Sequence, residues 1–266
     1  MGHCKAVNPA SSNFPESQAV DSSEQLPVAT FSAQMPGSSL APAPRTLWDI
    51  LQASAELNPD ATALDDGIKA LSYEDLLRAV RARATELTQA GLGAGDKIGV
   101  RIPSGTSSLY LSILAIIAIG AAYVPVDADD PEERAALVFG EAQVAAVLGD
   151  PLTGKALTLT GDRPTPFPAP REPLPEDDAW IIFTSGSTGT PKGVAVSNRS
   201  AAAFVDAEAS IFLQDEPLGP DDRVLAGLSV AFDASCEEMW LAWRYGAALV
   251  PALDPWSDRA WIWAHG

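Results

Sequence analysis

Phe183-Thr184-Ser185-Gly186-Ser187-Thr188-Gly189-Thr190-Pro191-Lys192-Gly193-Val194 places small, hydroxylated and glycine residues between two apolar runs and closes on a lysine. Such a loop suits a phosphate. Glycines let the backbone come close to an anion, and N–H groups with the hydroxyls of Thr184, Ser185, Ser187, Thr188 and Thr190 can donate to its oxygens. The string differs from the P-loop, where glycine precedes the lysine and Ser or Thr follows it. Here Pro191 precedes Lys192 and Gly193 follows. Flexible linkers share this composition, but they rarely lie between β-prone runs such as Trp180–Phe183 and Val194–Val196.

Working outward, apolar periodicity predicts a helix capped by Thr46 and stopped by Asn58-Pro59, then a hairpin pairing Thr62–Leu64 with Ile68–Leu71 across Asp65-Asp66-Gly67. Ser72 with Asp75 predicts a capping box, opening a helix that Gly91 ends. There follow strand Lys97–Ile102, helix Ser108–Ile119, strand Ala122–Val126, helix Pro131–Phe139 and strand Val144–Leu148. Six prolines between Arg163 and Glu176 predict an extended connection. After the loop, Ser197 is placed to cap a helix through Ala201–Ile211. The alternation implies an α/β fold, doubly wound, with mostly parallel sheets and flanking helices. Ligands of such folds bind at strand ends.

With 266 residues and 47% hydrophobic content the chain can bury a substantial core. Residues 1–44, rich in Ser, Ala, Pro and Gln without periodicity, read as a disordered N-terminal extension. The 17 basic against 35 acidic residues leave a formal charge of −18, which argues against nonspecific nucleic-acid binding. Two cysteines and two histidines imply neither a disulfide framework nor a zinc site. The uncharged stretch Leu109–Val126 is divided by Gly120, as expected of buried elements rather than a membrane span. The first residues lack the apolar core of a signal peptide, and a cytoplasmic location is expected.

Three further segments accompany the loop: Leu71-Ser72-Tyr73-Glu74-Asp75-Leu76, Gly120-Ala121-Ala122-Tyr123-Val124-Pro125-Val126-Asp127 and Phe232-Asp233-Ala234-Ser235. With these motifs in this order, residues 46 to 251 resemble the adenylate-forming (AMP-binding) enzyme superfamily, which includes nonribosomal peptide synthetase adenylation domains, acyl-CoA synthetases and luciferases. The resemblance implies the front part of the large N-terminal domain of those enzymes, with a partial adenylation domain at 45–251. It implies an ATP-dependent ligase in which a substrate carboxylate attacks the α-phosphorus of ATP, with Mg2+, releasing pyrophosphate.

Carried over on the matching positions, Thr184, Ser185, Gly186, Ser187, Thr188, Gly189 and Lys192 would bind the triphosphate, Thr184 and Lys192 taking part in catalysis. Asp233 would receive the α-ammonium of an amino acid, and Ala234 and Glu237 would line its side-chain pocket. A small residue beside an acid looks like a pocket for a basic amino acid such as lysine. The run Phe232–Arg244 resembles the polylysine-synthetase type. An intact enzyme of this kind would pass its product to a thiolation domain. Other readings stay open: Asp233 as a cap of the following helix, Glu237 as an exposed helix residue, a coenzyme A-directed carboxylate substrate, or a noncatalytic nucleotide-binding remnant.

Cys236 reads as a small packed hydrophobe, and Tyr73, Trp240 and Trp243 as core aromatics. Asn198 stands where relatives often carry histidine. The family's later motifs, including its magnesium-holding acid, ribose-binding aspartate, hinge and catalytic lysine, are missing after residue 251. The expectation is therefore a truncated domain, inactive alone. Residues 252–266 read as an atypical tail. Because Ala260–Gly266 can be encoded by DNA that gives Met-Asp-Leu-Gly-Pro-Trp in another frame, an out-of-frame tail is the expectation there.

Overall fold

A computed structural model of the protein describes residues 43–149, 157–161, 171–184, 191–211 and 217–252. Residues 1–42 of the N-terminal extension, 253–266 of the tail and much of the proline-rich connection lie outside these. Helix α1 (Leu47–Leu57) opens on a full capping box: Asp49 N donates to Thr46 Oγ1 at 3.1 Å, and Thr46 N donates to the Asp49 carboxylate at 2.7 Å. Its Leu47, Ile50 and Leu51 are buried. Strands β1 (Thr62–Asp65) and β2 (Ala70–Ser72) form the expected antiparallel hairpin.

Helix α2 (Tyr73–Gln89) is capped by Ser72, whose hydroxyl accepts from Asp75 N at 3.1 Å. The Asp75 side chain instead pairs with Arg78, so the expected box is only half formed. Gly91, at φ 81°, ends the helix as predicted. Tyr73 is buried and donates from Oη to the Ala247 carbonyl at 2.9 Å, which is the core role expected of it.

The remaining elements are β3 (Lys97–Val100), α3 (Ser107–Ala118), β4 (Ala122–Pro125), α4 (Glu132–Ala142), β5 (Ala146–Leu148), β6 (Leu157–Leu159), β7 (Asp178–Thr184), β8 (Lys192–Ser197), α5 (Asn198–Ala209), β9 (Arg223–Ala226), α6 (Ser235–Tyr245) and β10 (Ala248–Pro251). They build two sheets, ordered β6-β5-β3-β4-β7-β8 and β2-β1-β10-β9. Strands β5, β3, β4 and β7 run parallel, with β6 and β8 antiparallel at the edges. In the smaller sheet β1, β10 and β9 are parallel and β2 is antiparallel. The fold is α/β with mostly parallel, helix-flanked sheets.

Helix α3 is apolar on all sides because it is buried on all sides, with Ile113, Leu114, Ile116 and Ile117 at zero exposure. Among the described residues no helix is long and apolar enough to cross a membrane. One buried cluster joins α1, α2, α3 and α6 to both sheets, while Val124, Val138, Ile181 and Phe183 belong to a second beside α4. Trp240 and Trp243 pack edge to face, centroids 5.2 Å apart, inside the first. Strand β9 is the outer strand of its sheet, and Leu225 on it is 62% exposed.

Candidate functional site

Strand β7 carries the loop. Its buried run from Ala179 to Phe183 anchors it beside β4, and it emerges at Thr184. Strand β8 returns antiparallel, so that Thr184 and Lys192 are cross-strand partners and Phe183 lies opposite Gly193. A β-carbon at Gly193 would sit 2.8 Å from the Phe183 ring; glycine is what lets this ring pack across the hairpin. Thr184 and Lys192 are both exposed at the base of the loop. Ser185, Gly186, Ser187, Thr188 and Gly189 lie outside the described residues.

Beyond β8, Ser197 caps α5 as expected, accepting from Ser200 N at 3.3 Å. Asn198 is fully buried: its Oδ1 accepts from Leu47 N and its Nδ2 donates to the Asp177 carbonyl, both at 3.2 Å. The departure at this position is a structural joint between α1, α5 and the start of β7.

Two cavities flank the exit of β7. One, of about 350 Å³, is lined by Asp233, Ala234, Glu237 and Cys236 on one side and by Ser200 and Phe204 of α5 on another. The three side chains expected to bind substrate are thus brought together. The other, of about 470 Å³, is bordered by Thr184, Asp127, Arg134, Ser229 and Phe232. Asp233 borders both cavities. Lys192 lines neither, and reaches the group only through its pairing with Thr184.

The turn carrying Asp233 is fixed from below. Ser229 Oγ lies 2.7 and 2.8 Å from the two carboxylate oxygens of Asp127, the last residue of the Gly120–Asp127 motif, and accepts from Ala231 N at 3.0 Å. Ser235 Oγ then donates to the Phe232 carbonyl at 2.7 Å. Phe232 itself is 65% exposed. The N-cap of α6 is Ala234, without a side-chain cap bond. The Asp233 carbonyl accepts from Cys236 N at 2.9 Å, while among the described residues its carboxylate accepts only from the adjacent Ala234 N, at 3.0 Å, and no basic side chain pairs with it.

The neighbouring glutamates separate cleanly. Glu238 accepts from Leu228 N at 3.1 Å, whereas Glu237 lines the smaller cavity. Cys236 is buried, and burial pushes its thiol up to about 12; it is a packed side chain, as expected. Ser200, Phe204, Asp127 and Ser229 were not among the expected site residues. Of these, Asp127 closes a recognisable motif, while the others carry no local signal.

The donors at the loop base, a threonine hydroxyl and a lysine ammonium, have the chemistry to hold an anion. Among the described residues no three His, Cys, Asp or Glu side chains converge as a metal site.

Two mostly parallel, helix-flanked sheets with cavities beside the exit of a central strand define a class of α/β protein with clefts at strand ends. The model of the AMP-binding enzyme family matches residues 51–264, and the chain belongs to that family. Among curated relatives, the delta-poly-L-ornithine synthetase of Acinetobacter baumannii is 34% identical over 76% of this chain and 16% of its own length. The phenyloxazoline synthase MbtB of Mycobacterium tuberculosis is 34% identical over 82% of the chain and 16% of its own. The chain thus spans only about a sixth of these relatives.

Among solved structures, the nonribosomal peptide synthetase FmoA3 bound to AMPPNP superposes with TM-score 0.69 at 30% identity, covering 84% of this chain and 24% of that one. The N-terminal subdomain of Klebsiella oxytoca NpsA, in complex with 3-hydroxyanthranilyl-AMSN, gives TM-score 0.65 at 27% identity over 82% of this chain and 56% of that subdomain. The fold is that of the N-terminal subdomain of adenylate-forming enzymes.

Proposed function

We propose that this chain is the front part of an amino-acid adenylating domain of a nonribosomal peptide synthetase. The observation that carries this reading is Asp233, an exposed carboxylate without a cationic partner among the described residues, standing on the border of two cavities beside the Thr184–Lys192 pair. ATP would place its phosphates against the Ser185–Gly189 loop, Thr184 and Lys192. The α-ammonium of the amino acid would pair with Asp233, and its side chain would enter the cavity of Ala234 and Glu237.

In that arrangement the substrate carboxylate attacks the α-phosphorus, the bond to the bridging oxygen breaks, and pyrophosphate leaves with the electron pair. The chain's own groups contribute orientation and neutralisation of phosphate charge rather than a proton relay. Lys192 supplies a positive charge, Thr184 a hydroxyl donor, and Asp233 fixes the amine end of the substrate.

Glu237 favours a basic amino acid, lysine or ornithine, and the name of the Acinetobacter relative agrees with that choice. A downstream thiolation domain is the acceptor this reading calls for; NpsA has been studied fused to such a partner, ThdA. Aryl acids are the alternative, since the NpsA subdomain is held with aryl-AMSN compounds. ATP–pyrophosphate exchange decides between them when this segment is joined to the rest of an adenylation domain. Exchange with lysine or ornithine and not with unaminated carboxylates is expected; exchange with the unaminated acids alone overturns the role of Asp233. The 266-residue chain by itself is expected to form no adenylate.

A further inference from the structure

The smaller cavity has a wall on α5, where Ser200 and Phe204 are one turn apart. Helical spacing puts Glu208 one turn further on, along the same face. Across from it, Asp233 and Glu237 are likewise four residues apart. Contacts of Tyr245 with Ala209 and of Arg244 with Asp206 show that α5 and α6 run in the same sense, so Glu208, though outside the cavity's lining, lies past Phe204 on the side where Glu237 stands past Asp233.

Charge on α5 is otherwise matched. Asp206 is held by Arg45 and by Arg244, the second at 3.1 Å. Glu208 has no such partner: its Oε2 is closed off from solvent and accepts no hydrogen bond. Enclosing a carboxylate oxygen without a donor is costly, and each such atom in a folded protein calls for a reason. Partial burial, and then the charge of Glu237, raise the Glu208 carboxyl above its ordinary range. No arginine or lysine among the described residues forms an ion pair with either glutamate.

We propose that Glu208 is a specificity-determining residue, the second carboxylate that with Glu237 receives the terminal cation of a basic amino-acid side chain. The inference rests on reading this cavity as the side-chain pocket. Asp233 would hold the α-ammonium; Glu237, four residues on, and Glu208, one turn beyond Phe204, would share the distal charge. A neutral side chain leaves both acids uncompensated, so selection would come as much from rejecting neutral substrates as from attracting basic ones.

The test is binding of L-ornithine against the neutral L-norvaline to the 266-residue chain, measured by saturation-transfer NMR at millimolar ligand. Ornithine is expected to bind more tightly, and Glu208→Gln should lower the ornithine-to-norvaline ratio about fivefold, as for loss of one partly buried ion-pair partner. Should that variant misfold, the carboxyl carbon resonance of Glu208 in the unmodified chain serves instead. It should shift on adding ornithine and not norvaline. If Glu237→Gln lowers the ratio while Glu208→Gln does not, and the Glu208 resonance stays still, the role of Glu208 is overturned and the pocket stands. If the unmodified chain shows no preference for ornithine, both fall.

Discussion

The Tyr123 hydroxyl lies 3.5 Å from the Cys236 sulfur, tying the larger sheet to the helix that carries Glu237 and follows Asp233 and Ala234. Both groups are buried, and burial makes both weaker acids, pushing the thiol up to about 12. At pH 8 the thiolate fraction of such a cysteine is on the order of 10⁻⁴. Cys236 should therefore resist iodoacetamide in the native protein and react only on unfolding, as read by mass spectrometry. Complete labelling within minutes under native conditions would show the contact to be wrong.

Asn198 makes a stability prediction. Removing its amide strands the Leu47 N–H and the Asp177 carbonyl in a buried place, although Asp177 keeps the Asn198 backbone bond at 2.8 Å. Asn198→Ala should cost about 2 kcal/mol, measured as a lower urea midpoint with unchanged slope. An unchanged midpoint would remove this residue from the joint.

Lys192 predicts the opposite pattern. Its side chain is exposed at the loop base, so Lys192→Ala should leave the melting temperature in place. In the completed domain, ATP affinity should fall about three- to tenfold, as for loss of one charge-assisted contact. An unaltered ATP dependence and rate would sink the phosphate assignment.

Asp66 gives a pH dependence. Partial burial pushes its carboxyl up, but the Ser107 hydroxyl and the backbone amides of Lys69, Ser107 and Ile68 outweigh this and bring it down to about 2. The Ser107 hydroxyl donates at 2.6 Å, tying the β1–β2 turn to the first turn of α3. Because the folded value lies below the unfolded one, this stabilisation is complete above about pH 4 and is lost as pH falls through about 2. Discounted for solvent screening it is worth about 1 kcal/mol. Asp66→Asn should flatten the acid limb of the stability curve; an identical limb in the variant would contradict it.

Helix positions were legible because local chemistry marks them. Thr46, Ser72 and Ser197 each cap the helix they were expected to cap, and Gly91 turns the chain where its positive φ is needed. Strand pairing was less legible. β9 and β10 are four residues each, and β10 meets β1 from more than 150 positions away with β9 on its far side, which no local pattern announces. The same divide runs through the candidate site. Asp233, Ala234 and Glu237 are neighbours in a motif, whereas Ser200, Phe204 and Ser229 join them only through the packing of separate elements. Glu208 shows nothing in sequence beyond an acid on a helix; its meaning comes from an oxygen left without a donor.

The outer strand β9 has a practical consequence for anyone handling this polypeptide. Among the described residues β9 ends its sheet, and the exposed Leu225, Leu228 and Phe232 beside it make a sticky margin of the kind that recruits a neighbouring molecule. What holds molecules apart is the charge of −18, whose reach shrinks as ionic strength rises. Clarity in dilute buffer should give way to turbidity as salt is added, the reverse of ordinary salting-in.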